Sequence, residues 1–70
     1  MPIGEKIREL RKAKGLSQNQ LAEEIESVQA LVSAWEIGKC DPHIFSCIML
    51  ADFFNISLDE LCCRDFKGEK

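Results

Sequence analysis

Several things are missing from this chain, and each absence narrows what it can be. No apolar run approaches the roughly 20 residues that a membrane-spanning helix needs. No basic patch followed by an apolar block opens the sequence, so no secretory signal is visible, and the cytoplasm is the expected compartment. Glycine is scarce, at 4 of 70 residues, and the 2 prolines stand where prolines start elements. Low-complexity tracts are absent, and no segment alternates apolar and polar residues over a useful length, so no strand is expected. A strong positive charge, the signature of many nucleic-acid binders, is also lacking: the formal net charge is −3. Catalytic groupings are missing too. The single histidine, His43, has no nucleophile-and-base arrangement beside it, no phosphate-binding loop is present, and no paired carboxylates line a cleft, so no enzyme is expected.

What remains is enough for one small folded unit. A chain of 70 residues that is 46% hydrophobic buries only about 60% of its unfolded surface, which leaves no room for two cores. The expectation is one domain over 1–70, with its core at about 3–63 and a polar tail at 64–70. Charge is unevenly spread. Lys6, Arg8, Arg11, Lys12 and Lys14 fall in one window, whereas most of the acid lies further on, from Glu23 to Glu26 and beyond Asp52. Such a basic first helix can meet phosphate locally; the plainer alternative is a solvated helix face.

Four cysteines, Cys40, Cys47, Cys62 and Cys63, would suggest disulfides in a secreted chain. Without a secretory signal, reduced thiols are expected. Cys40, His43 and Cys47 form C-x2-H-x3-C. Structural zinc takes four ligands, usually from two separated pairs, and the adjacent Cys62 and Cys63 are poorly placed to complete a set. The cysteines are therefore read as small apolar residues, with no metal and no cofactor.

Periodicity predicts five helices. The first spans about 3–14, with Ile3, Ile7, Leu10 and Arg11 at helical spacing, Pro2 in its first turn and Gly15 as its stop. Ser17 and Gln20 make a capping box that opens the second, at about 18–25. Ser27 is the expected cap of the third, at about 28–36, where Val28, Leu31, Val32 and Trp35 repeat at three and four. Asp41 and Pro42 are expected to start the fourth, at about 43–54, with Ile44, Cys47, Ile48, Ala51 and Phe54 inward. Ser57 and Glu60 form a second capping box for the fifth, at about 58–63.

Helices two and three are short and almost adjoining. A tight crossing needs a small residue on the first, and Ala22 is there; Val32, ten residues on, fills the angle. That layout is the helix-turn-helix. The stretches IGEKIRELRKAKGLSQNQLAE, SAWEIGKCDP and LADFFNISLDEL closely resemble the Xre/Cro family of phage-repressor-type regulators, over about residues 3–62. The resemblance implies an all-α, compact five-helix lambda-repressor-like domain that binds short palindromic double-stranded DNA as a homodimer. It also implies a transcriptional regulator, a repressor by preference, with no small-molecule substrate.

The resemblance carries roles onto particular residues. Gln29, Ala30, Ser33 and Ala34 match the positions facing base edges. Gln18, Gly38 and Lys39 match contacts to the DNA backbone. Arg11 and Glu36 match a structural pair joining the first helix to the end of the third. The departures are concentrated near the hinge. Glu26 holds a place usually given to glycine, Ser27 and Val28 reverse an apolar-then-serine order, Leu31 replaces a small polar residue, and Ile37 replaces asparagine. Glutamine can bond adenine with two hydrogen bonds and alanine can touch a thymine methyl, so the direct code is thin and leans to A·T.

Phe45, Met49 and Phe53 run at i, i+4, i+8 along a fourth helix that is apolar almost all round. Such a stripe is expected to be a dimer interface; the alternative is extra core against Phe66 in the tail. A second function class stays open beside DNA binding: a helix-turn-helix fold kept for protein–protein contact, which the acidic balance and neutral recognition face would suit.

Overall fold

The structure is a computed structural model, and it describes residues 3–62, the last by its backbone only. Pro2, Cys63, Phe66 and the tail 64–70 lie outside the described residues. Five helices follow one another: α1 (Ile3–Ala13), α2 (Gln18–Glu24), α3 (Gln29–Glu36), α4 (Ile44–Phe54) and α5 (Leu58–Cys62). Among the described residues there is no strand.

The helices are short, so their ends decide the geometry. The N–H of Gln20 donates to Ser17 Oγ at 3.0 Å, and the Ser17 N–H donates back to Gln20 Oε1 at 2.8 Å. This reciprocal cap opens α2 as its sequence predicts. The C-terminal ends of α1 to α4 close in one way, each with paired backbone bonds running back over the last turn. At the close of each helix stands a residue with positive φ: Gly15 (71°), Glu26 (57°), Gly38 (81°) and Asn55 (59°). Glycine adopts that conformation freely and asparagine tolerates it. Glu26 has neither advantage, yet the α2–α3 hinge holds it there.

The same hinge displaces the expected cap of α3. The Ser27 N–H donates to Ala22 O at 2.8 Å, which makes Ser27 part of the closure of α2. Val28 is the N-cap of α3 and supplies no side-chain bond. Of the four apolar residues that repeat along α3, Val32 and Trp35 are buried while Val28 and Leu31 are exposed. At α4 the N-cap is His43, again without a side-chain bond, so Asp41 and Pro42 precede the helix instead of starting it.

The core gathers Ile7, Leu21, Ala22, Ile25, Val32, Trp35, Cys47, Leu50, Ala51, Phe54 and Leu61. Helix α3 packs on α2 and on α1, while α5 packs on α4 and α1, so α1 bridges the two halves. Gly4 makes the α1–α3 approach possible: a Cβ there would overlap the Trp35 carbonyl. The face of α4 is turned from expectation. Leu50 is buried with Cys47, Ala51 and Phe54, while Ile44 and Ile48 are exposed. A helix apolar on nearly every side offers periodicity no basis for choosing a face.

Replacing Glu26 by glycine relieves the left-handed strain but adds freedom to the unfolded chain. The net expectation is a gain of about 0.5–1 kcal/mol in a urea melt. A Glu26→Gly variant less stable than the parent would show that the glutamate side chain is needed at the hinge.

Candidate nucleic-acid interface

The exposed side of α3 carries Gln29 and Ala30 in the open, with Ser33 and Ala34 half-buried one turn further on. The opposite side is held by Val32 and Trp35 in the core. The four residues expected to face base edges thus share one side of a helix that is fixed from behind. Lys39 and Gly38 follow directly, both exposed. The Gly38 N–H donates to Trp35 O at 3.2 Å and the Lys39 N–H to Ala34 O at 2.9 Å. Both amides are thus engaged in closing α3. Gly38 supplies the turn, and the Lys39 ammonium remains as the cation.

Beneath this surface lies a buried carboxylate. Glu36 ends α3 with its side chain fully enclosed, and Arg11 is nearly so. Arg11 donates from Nε to Glu36 Oε2 at 2.7 Å and from Nη2 to Oε1 at 3.0 Å. Its third donor, Nη1, reaches Leu16 O at 2.8 Å. Arg8 Nε adds a contact to Oε1 at 3.3 Å. Gln18 Nε2 donates to the same oxygen at 3.0 Å, and Gln29 Nε2 donates to Gln18 Oε1 at 2.7 Å. The chain of bonds runs unbroken from the exposed start of α3, through the start of α2, to the charge in the interior. Four donor groups thus reach this carboxylate, three at Oε1 and one at Oε2.

The electrostatics follow from that enclosure. Burial pushes the Glu36 carboxyl up, but hydrogen bonds from Arg11, Gln18 and Arg8, with the charge of Arg11, outweigh it and leave it below its ordinary value. The hydrogen bond to Glu36 raises Arg11 above its ordinary value, against the effect of its own burial. Two of the five basic residues of the N-terminal window are thereby engaged by Glu36, Arg11 from the interior and Arg8 from the surface. A third, Lys14, has its ammonium 5.4 Å from the centre of the Phe53 ring. The basic first helix has less charge to offer phosphate than its sequence suggests.

The expected dimer stripe is divided. Phe45 is 72% exposed. Met49 and Phe53 are half-buried against the core, and Phe53 meets Phe54 edge-on at 5.1 Å. The open apolar side of α4 is formed by Ile44, Phe45 and Ile48. A shallow hollow beside it is lined by Ile25, Val28, Leu31, Phe45 and Met49, joining this side to the start of α3. Cys40 and His43 are exposed, whereas Cys47 is buried with its thiol 3.6 Å from Pro42 O. Among the described residues no three of His, Cys, Asp and Glu gather where they could hold a metal ion. Among them also, no helix is long and apolar enough to cross a membrane.

A five-helix domain with a tight α2–α3 crossing and an outward third helix is the architecture of lambda-repressor-like regulators. Residues 7–61 match the helix-turn-helix family, and the chain belongs to it, in its Xre-type branch of DNA-binding transcription regulators. The chain is 39% identical over 61 residues to the HTH-type transcriptional activator BcrR of Enterococcus faecalis, covering 87% of this chain and 30% of that protein. Over 64 residues it is 36% identical to the cryptic phage CTXphi transcriptional repressor RstR of Vibrio cholerae, covering 91% of this chain and 57% of that protein. It thus spans less than two thirds of the length of either relative. Among solved structures it is similar to the P22 c2 repressor in complex with a synthetic operator, with a TM-score of 0.85 and 26% identity over 93% of this chain and 98% of that one.

Because Glu36 ionises more readily in the fold than in the unfolded chain, its contribution is full above the ordinary glutamate value, about 4.3. It is lost as the pH falls through the lower folded-state value. Urea melts across that range should show a steep acid arm, and Glu36→Gln should flatten it. At neutral pH, Glu36→Ala leaves Arg11 buried without its partner and is expected to cost about 3–5 kcal/mol. An acid arm unchanged in Glu36→Gln would place its origin at another carboxylate.

Proposed function

We propose that the domain binds short palindromic double-stranded DNA as a homodimer, lays α3 in the major groove, and regulates transcription as a repressor by occupying that site. One observation carries this reading: Gln29, Ala30, Ser33 and Ala34 share the outward side of a helix whose inward side is locked, with Gln18 and Lys39 at its two ends. Gln29 reads adenine with two hydrogen bonds, Ser33 bonds a base edge, and the alanines touch thymine methyls. Lys39 and the remaining N–H of the Gln18 amide hold the phosphates, and Gly38 turns the chain so that Lys39 can reach. Similarity to a repressor solved on its operator supports the same placement. The reading includes no catalysis, no cofactor and no small-molecule substrate, and it puts the 1–70 domain in the cytoplasm beside the DNA.

So thin a code and so few free cations give one copy a weak grip, which the dimer offsets by holding two half-sites. We place the dimer face on α4 at Phe45, with Ile44 and Ile48 beside it and Met49 at its edge; Phe53 contributes from behind, through the core. Replacing Phe45 by glutamate should lower self-association while leaving the helical signal and melting intact. A Phe45→Glu domain that sediments as the parent does would remove α4 from the interface.

The same apolar side also favours a second reading, in which the fold serves protein contact without DNA. Selection from a random duplex pool at low salt separates the two. The DNA reading expects an enriched inverted repeat, with half-sites about one helical turn apart, and loss of enrichment with Gln29→Glu. A folded domain that enriches nothing would overturn it in favour of protein contact.

A further inference from the structure

We infer that Glu36, which no base can reach, is a specificity-determining residue: acting through Gln18, it fixes which hydrogen-bonding groups Gln29 turns toward a base pair. The inference rests on the DNA-binding reading above and deepens it.

The argument is one of donors and acceptors. An amide can be turned either way round, and nothing in an isolated glutamine decides between its oxygen and its nitrogen. An ionised carboxylate has no such freedom, because it only accepts. Glu36 is fully enclosed and is held by Arg11 and Arg8, which only donate. Gln18 stands 3.0 Å from Glu36 Oε1, so it must turn its NH2 group inward. Turned the other way, it would set a carbonyl oxygen against a buried negative charge, at the cost of a lost charge-assisted bond. The Gln18 oxygen therefore faces outward, where Gln29 meets it at 2.7 Å. Gln29 must in turn offer its NH2 group, and one of its two N–H bonds is engaged there.

What Gln29 has left is one N–H and one carbonyl oxygen, side by side on the amide edge. Adenine presents N7 as an acceptor and N6 as a donor in the major groove, a matched pair for those two groups. Guanine presents two acceptors, N7 and O6. A freely turning glutamine can meet guanine with its NH2 group; this one cannot, because its second N–H is held by Gln18 and its oxygen would oppose a guanine acceptor. The charge in the interior is thus converted, through two neutral amides, into rejection of guanine at one position of each half-site. Glu36 is a positioning residue in this scheme, and Gln29 is the group that touches the base.

The test uses the enriched duplex and its single-pair variants, with binding followed by fluorescence anisotropy at constant salt. For the unaltered domain, replacing adenine by guanine at the Gln29 position should weaken binding about tenfold or more. Gln29→Ala identifies that position by abolishing its preference. In Glu36→Leu the acceptor is gone and Gln18 and Gln29 are released, so the adenine-to-guanine ratio should fall to within about twofold. Gln18→Leu cuts the relay while Arg11 and Arg8 still hold the buried charge, and should do the same if Glu36→Leu fails to fold. The readout is the ratio at this one position against the others, whatever the overall affinity of either variant. A tenfold ratio persisting in folded Gln18→Leu would overturn the inference while leaving DNA binding intact. A parent domain that binds no duplex would overturn the DNA-binding reading, and this inference with it.

Discussion

The structure depends on one buried negative charge. Glu36 lies at the end of α3, where three helices meet, and it is held by donors from two of the others. A carboxylate taken out of water is tolerable only when its lone pairs are filled, and the cost of a missing partner is several kcal/mol, of the order of 3–5. The chain meets this demand with Arg11, Arg8 and Gln18, residues from the end of α1 and the start of α2. Each is thereby fixed relative to α3. Arg11 extends the constraint to the turn after α1 through the Leu16 carbonyl. In a domain whose helices span only two or three turns, such a node sets orientations that apolar packing alone would leave loose.

Rigidity at the helix ends complements this node. The turns after α1, α2, α3 and α4 are all closed by backbone bonds around a left-handed residue. Little slack is left between α2 and α3, so the outward side of α3 points where the core directs it. The arrangement has a consequence for affinity. Several donors close the fold: the amides of Gly38 and Lys39, and the guanidinium of Arg11, bond within the protein. In the proposed reading, recognition falls to a small set of neutral groups, and electrostatics contribute modestly.

Much of the fold was legible in the sequence. Ser17 and Gln20, the glycines at 15 and 38, and Asn55 each carry a local signal, because caps and left-handed turns are chemistry of a few adjacent residues. Glu26 carried none, and only the resemblance marked its place as the hinge. Ser27 misled because a serine beside a helix suits either a cap or a turn, and the closure of α2 claimed it. Gly4 went unread because its reason lies far along the chain, at the Trp35 carbonyl. The inward face of α4 was misjudged at Ile44, Ile48 and Leu50, since an apolar helix has no stripe to follow. At the site, the resemblance named Arg11 and Glu36 as a pair, and Gln18 and Gln29 apart from it. That the four form one relay is a fact of three dimensions, and no spacing encodes it.

The apolar side of α4 and the neutral side of α3 adjoin across the hollow at Val28 and Leu31, so protein contact and DNA contact would be neighbours on this surface. An NMR titration of the isotope-labelled domain with its selected duplex resolves them residue by residue. The account predicts that the amides and side chains of Gln18, Gln29, Ala30, Ser33, Ala34 and Lys39 shift together and saturably, with the Glu36 environment following through Gln18. Shifts confined to Ile44, Phe45 and Ile48, with α3 silent in a folded domain, would contradict it.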